Sequence, residues 1–169
     1  MKNITKLFAI ALVVIASASN SFGQTTSTAT SSASATILTP IAIANSVPLN
    51  FGTIGAVAVA STVTLAANDS RTQIGGATLF TVGAPAKAGV FAITGTPNSA
   101  FNITLPGTVT INGSGAPMTI INWVSDLGAA STMLNNGTKS LVVTATLNVG
   151  AAQAAGTYSG SYDVSVNYN

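Results

Sequence analysis

Residues 141–169, LVVTATLNVGAAQAAGTYSGSYDVSVNYN, constrain this chain more than any other stretch. Tyr158, Gly160, Tyr162, Val164, Val166 and Tyr168 fall on one side of a two-residue period, and Thr157, Ser159, Ser161, Asp163, Ser165 and Asn167 fall on the other. Successive side chains of a strand point to opposite faces, so this pattern predicts a half-buried β-strand. Leu141, Val143, Ala145, Leu147 and Val149 repeat the pattern just upstream. Two such strands need an opposing apolar layer. The core face of the last strand is therefore expected to be Tyr158, Tyr162, Val164, Val166 and Tyr168.

Upstream, the same period recurs in short pieces. Residues 36–43 alternate Ile37, Thr39, Ile41 and Ile43 around Pro40, which suits an edge or bulged strand. Further strands are expected at residues 47–53, 57–65, 90–94, 101–105, 109–111 and 118–124, with a weaker one at 74–82. The 118–124 segment is apolar on both faces. Asn68-Asp69-Ser70 and Asn136-Gly137 are turn signals, and Pro106-Gly107 suits the centre of a type II turn. No helical apolar period follows the N-terminal segment. Eight to ten short strands at this spacing predict an all-β sandwich or barrel.

The N-terminus has a different logic. Lys2 and Lys6 precede an apolar run over residues 7–18, and small residues follow. This is the pattern of a secretory signal peptide, residues 1–23, with cleavage before Gln24. The run is too short to span a membrane, so no transmembrane segment is expected in the mature chain. Residues 24–35, QTTSTATSSASA, are expected to form a flexible Ser/Thr/Ala arm, because they offer little apolar surface to bury. The β-domain is expected over residues 36–169. Export to the periplasm, the cell surface or the medium of a Gram-negative-type bacterium follows from the signal.

Charge matters for what remains. Arg71, Lys87 and Lys139 balance Asp69, Asp126 and Asp163 once the signal is removed. No basic patch is left to bind nucleic acid. Charged residues make up 5% of the sequence against roughly 25% in an ordinary soluble domain. Such a surface lacks the charges that usually guard sheet edges, which favours edges occupied by copies of the chain or by other surface subunits.

The sequence contains no His, no Cys and no Glu. Imidazole bases, thiolate nucleophiles and most metal sites are thereby excluded. The three Asp residues lie in different segments, and no Asp-rich loop suits calcium. No catalytic residue, cofactor or metal is expected, and the chain is read as a non-enzyme. Two aromatic residues stand apart. Trp123, the single Trp, is either core or a platform that stacks on a sugar. Tyr158, at a strand start two residues after Gly156, suits a tyrosine corner.

The phrases SATILTPIAIANSVPLNFG, VFAITGTPNSAFNITLP, PMTIINWVSDL and the closing GTYSGSYDVSVNY resemble a family of exported bacterial β proteins, domain of unknown function four-four-zero-two. The LNFG phrase at residues 49–52 and the Gly-x-Tyr closing strand are also similar to spore-coat-U-like and archaic chaperone–usher pilins. This second resemblance implies an immunoglobulin-like, Greek-key sandwich and assembly by strand addition. The chain lacks those pilins' paired cysteines, and its arm lacks large apolar residues at alternate positions. Together these readings imply a structural subunit or decoration of a surface fibre, pilus or coat. A secreted or surface module that holds glycan or protein is the alternative.

Overall fold

The computed structural model describes residues 26–55, 58–128, 132–133 and 136–169. The expected signal peptide, the start of the arm and Val57 lie outside the described residues. Contacts divide the chain into residues 1–36 and 37–169. Residues 26–36 are exposed and carry no strand or helix. The second unit is all-β among the described residues. Its strands are β1 (Ala42–Val47), β2 (Thr53–Gly55), β3 (Ser61–Leu65), β4 (Arg71–Ile74), β5 (Thr78–Phe80), β6 (Gly89–Thr94), β7 (Ala100–Thr104), β8 (Val109–Ile111), β9 (Met118–Ser125), β10 (Thr132–Met133), β11 (Thr138–Val149) and β12 (Ser165–Tyr168). The first strand begins after Pro40, as a residue without an N–H requires of a ladder. The polar β4, Arg-Thr-Gln-Ile, carries too little apolar signal to be expected from sequence. Gly107 does not take the positive φ that a type II turn needs, whereas Asn136 and Gly137 do, at 56° and 74°.

β11 organises the main sheet. It pairs antiparallel with β6 over residues 138–143, and with β3 over residues 146–149. Val143 pairs with both Gly89 and Ser125, and Thr146 with both Thr64 and Ile121. β6 and β3 therefore follow one another along one edge of β11, while β9 occupies the other. β1 extends the sheet beyond β6, β4 beyond β3, and β8 beyond β9, giving seven strands. A three-stranded sheet in the order β10-β7-β12 and a β2–β5 ribbon complete the unit.

A bulge explains why β9 reads as apolar on both faces. Between Thr144 and Thr146 the register with β9 shifts, so that Asn122 and Trp123 together oppose Ala145. Asn122 has φ 52°, the left-handed conformation that asparagine tolerates better than most side chains. The extra residue reverses the side-chain phase. Met118 and Ile120 face inward before it, and Trp123 and Ser125 after it, while Val124 is 57% exposed.

The inner face of the main sheet carries two core clusters. In one, Phe91, Ile93, Leu141 and Val143 meet Phe101, Ile103 and Val166 from the three-stranded sheet. In the other, Val63, Leu65, Ile120, Leu147 and their neighbours are covered by Phe51 and Ala77, with Ile54 and Leu79 of the β2–β5 ribbon. Trp123 packs against both.

The closing strand is shorter than its alternation. Tyr158, Tyr162, Val164, Val166 and Tyr168 are at least partly buried and the residues between them exposed, but ladder pairing runs only from Ser165 to Tyr168. Gly160 is exposed as well. The register explains the early end. Ser165 pairs with Thr104, so the same register sets residue 163 against Pro106, which has no N–H to donate.

Candidate interaction surface

Residues 150–164 run between β11 and β12 without a ladder and are pinned by individual bonds. Gln153, buried, donates from Nε2 to the Ala116 carbonyl. Ser114 Oγ donates to the Ala155 carbonyl at 2.7 Å, and Asn112 and Ser159 exchange backbone hydrogen bonds at 2.9 Å. Tyr158 Oη donates at 2.8 Å to the carbonyl of Ala154, four residues upstream. Its ring lies over Gly113, where a Cβ would sit 2.6 Å from the ring. Only glycine admits that approach.

This segment borders a groove of about 680 Å³. The inner-face residues Val109, Ile111, Met118, Ile120, Leu147 and Val149 line it, together with residues 49–55 and 153–160 and Tyr162. Its apolar part is thus one core cluster reached from outside, and its polar part is backbone and small side chains. The size lies within the range of small-molecule pockets.

Trp123 and Tyr162 meet beside this groove, with ring centroids 4.6 Å apart and planes at 38°. Phe91 meets Tyr162 edge-on at 6.2 Å. Trp123 Nε1 and Tyr162 Oη are both buried without a hydrogen-bond partner of good geometry. Burial raises the Tyr162 phenol above its ordinary value, against an opposing pull from the backbone of Leu49. The hydroxyl lies over Gly89, where an added Cβ would come within 2.6 Å of it. Of the two readings open for Trp123, the structure shows packing against both cores and against Tyr162.

Tyr168 closes the other end of the domain. Its hydroxyl accepts from Thr96 N at 2.6 Å and donates to the Thr39 carbonyl at 2.8 Å. Thr39 N donates in turn to Thr96 Oγ1 at 2.7 Å. The segment before β1 is thereby held to the end of β12.

Asp69, Lys87, Arg71 and Asp126 bond within the fold. Lys87 Nζ donates to Asp69 Oδ2 at 2.6 Å, and Ala88 N to Asp69 Oδ1 at 2.8 Å. These bonds, led by that from Lys87, hold the Asp69 carboxyl below its ordinary value. Arg71 donates to the carbonyls of Phe51, Thr53 and Phe80, which ties β4 to the β2–β5 ribbon. Asp126 Oδ1 accepts from Val142 N at 2.8 Å. The described residues contain no group of three acidic, His or Cys side chains placed to hold a metal, and no helix long and apolar enough to cross a membrane.

β12 ends its sheet, with β7 on one side and no further strand beyond it among the described residues. Asn169 N donates to the Ala100 carbonyl. Backbone direction alternates along an antiparallel strand. Asn167 and Ser165 therefore also point their N–H groups toward β7, and Val166 and Tyr168 point theirs outward. The groove and the Arg71 and Asp69 bonds had no signal in the sequence, because each joins residues distant in the chain.

The described residues define an all-β architecture of antiparallel sheets. Residues 41–168 match the model of the family described as Domain of unknown function (DUF4402), and the chain belongs to that family. No curated protein and no solved structure matches it.

Proposed function

We propose that this chain is a non-catalytic structural subunit of an exported bacterial surface assembly, joined to its neighbours by strand addition. The observation that carries this reading is the outer edge of β12. There the backbone groups of Val166 and Tyr168 face away from β7, on a strand that carries no charged side chain. An edge without guarding charge is a template for another strand. The two sheets meeting across Leu141, Val143, Phe101 and Val166 support an immunoglobulin-like, Greek-key sandwich. The LNFG phrase and the closing Gly-x-Tyr strand support kinship with the spore-coat-U-like and archaic chaperone–usher pilins. The basic and apolar N-terminus supports export, with the mature chain starting at Gln24.

The test is microscopy and N-terminal mass spectrometry of the exported protein. Ordered fibres or ladders from wild type, lost in Ser165→Lys with melting unchanged, are expected. A species that stays monomeric at every concentration, or an intact Met1 on the exported protein, overturns the reading. The groove of about 680 Å³ beside the unpartnered Tyr162 hydroxyl favours the second reading, a module that holds glycan or protein. A monomer that binds a glycan array would select it.

A further inference from the structure

The outer face of the seven-stranded sheet is organised as strictly as its inner face. The registers align Ile74, Thr62, Asn148, Thr119 and Thr110 in one row across β4, β3, β11, β9 and β8. The next row is Thr72, Thr64, Thr146 and Ile121. At the other end of the sheet, Ala42, Thr94 and Thr138 align across β1, β6 and β11. No strand of this face presents a charged or aromatic side chain outward. Arg71 and Lys139 fall on the inner phase, opposite the buried Leu65 and Ile93. At the rim, one residue beyond β9, Asp126 turns its carboxylate onto Val142 N.

We propose that this face is a homotypic interface, on which a second copy of the chain docks sheet to sheet. Three observations converge. First, an outer face without charge meets its own copy without like-charge repulsion, and isologous pairing brings identical patches together. Second, its polar groups are partly satisfied within the face. Thr64 Oγ1 and Thr146 Oγ1 are 3.0 Å apart, and Asn148 Nδ2 donates to Thr119 Oγ1 at 3.0 Å. Desolvating a hydroxyl or amide that already has a partner costs less than burying a free one. Third, strand spacing and rise give the seven strands a projected area of about 700 Å², close to the roughly 800 Å² per partner of a stable interface. Ile74 is 79% exposed and Val124 57% exposed, and both would be covered. The lack of aromatic platforms argues against a polysaccharide as the occupant.

For its biological use the contact rests on the structural-subunit reading; as a contact it is tested separately. Ala92 and Thr110 are exposed on this face in different strands. The experiment is sedimentation of the exported wild-type protein, of Ala92→Lys/Thr110→Lys, and of Ala92→Glu/Thr110→Glu, alone and mixed, with melting as the control for folding. The expected result is a wild-type dimer, dissociation constants raised about tenfold or more in each charged variant, and association restored when the two variants are mixed. That rescue excludes misfolding as the cause. A monomeric wild type overturns the proposal. So does a dimer that both charged variants leave intact; if Ser165→Lys then abolishes it, the subunit reading stands without this face. A face-dependent dimer from a protein that builds no surface assembly would keep the contact and remove the subunit reading.

Discussion

Trp123 and Tyr162 lie with their ring centroids 4.6 Å apart, and Trp123 of this pair packs against both core clusters of the domain. Neither polar atom of the pair has a hydrogen-bond partner of good geometry. An unmade buried hydrogen bond costs about 1–3 kcal/mol. Tyr162→Phe removes the orphan hydroxyl and keeps the ring contact, so stability should be unchanged or raised. The pH dependence follows from the raised phenol. Its stabilising contribution is full below the unfolded-state value of about 10 and is lost as pH rises through the higher folded value. Melting curves from pH 7 upward should show wild type losing stability in that alkaline range, and Tyr162→Phe losing less. Identical profiles would refute the assignment.

The left-handed Asn122 is what turns Trp123 inward. Asn122→Gly should be tolerated within about 0.5 kcal/mol. Asn122→Val puts a β-branched residue at φ 52° and should cost about 1–3 kcal/mol. Trp123 is the only Trp, so its fluorescence reports the bulge directly. Red-shifted emission is expected in Asn122→Val and not in Asn122→Gly.

The same bulge shows where sequence reading ends. Leu141, Val143, Ala145 and Leu147 announce β11 because one strand holds a single phase throughout its inner face. β9 does not, since Ile120 and Trp123 share a side only after an extra residue that no local pattern marks. The alternation at Tyr158, Tyr162 and Val164 was legible as burial but not as ladder, because the strand's length depends on Pro106 in a different segment. The groove was invisible for the same reason: residues 49–55 and 153–160 are brought together only by the sheet.

Tyr168 binds two backbone groups with one hydroxyl. Tyr168→Phe leaves the Thr96 amide and the Thr39 carbonyl without it, and should cost about 1–3 kcal/mol. Amide exchange at Thr96 should accelerate more than exchange at Ile93, which lies in β6. Equal acceleration at both would mean a global effect instead.

Asp69 and Lys87 are a partly exposed pair and should contribute about 0.2–1 kcal/mol. A lowered carboxyl gives stability that is present above the unfolded-state value of 3.8 and is lost as pH falls through the folded value. Asp69→Asn should therefore melt below wild type at neutral pH, and the gap should close as pH falls through the lowered folded value. A gap that persists there would show that the carboxylate charge is not its cause.

The closing strand gives a comparison in which side chain and backbone are separable. Val166 is 8% exposed within one core cluster, so Val166→Ala should cost about 1–3 kcal/mol. Val164 is only partly buried and should lose less on truncation to alanine. Ser165 is exposed, so Ser165→Ala should stay within about 0.5 kcal/mol. Ser165→Pro differs in kind. The Ser165 side chain faces solvent, but its N–H points toward Thr104, as the bond from Asn169 to Ala100 requires of alternate residues. Proline there removes a ladder bond and should lower the melting temperature more than Val164→Ala does. Loss of assembly in Ser165→Pro would then reflect a damaged domain. Ser165→Lys, which keeps the N–H and adds only charge, is the variant that tests the outer edge. Melting of the five variants decides the register. If Ser165→Pro melts with wild type, the N–H of Ser165 points outward and the strand phase is reversed.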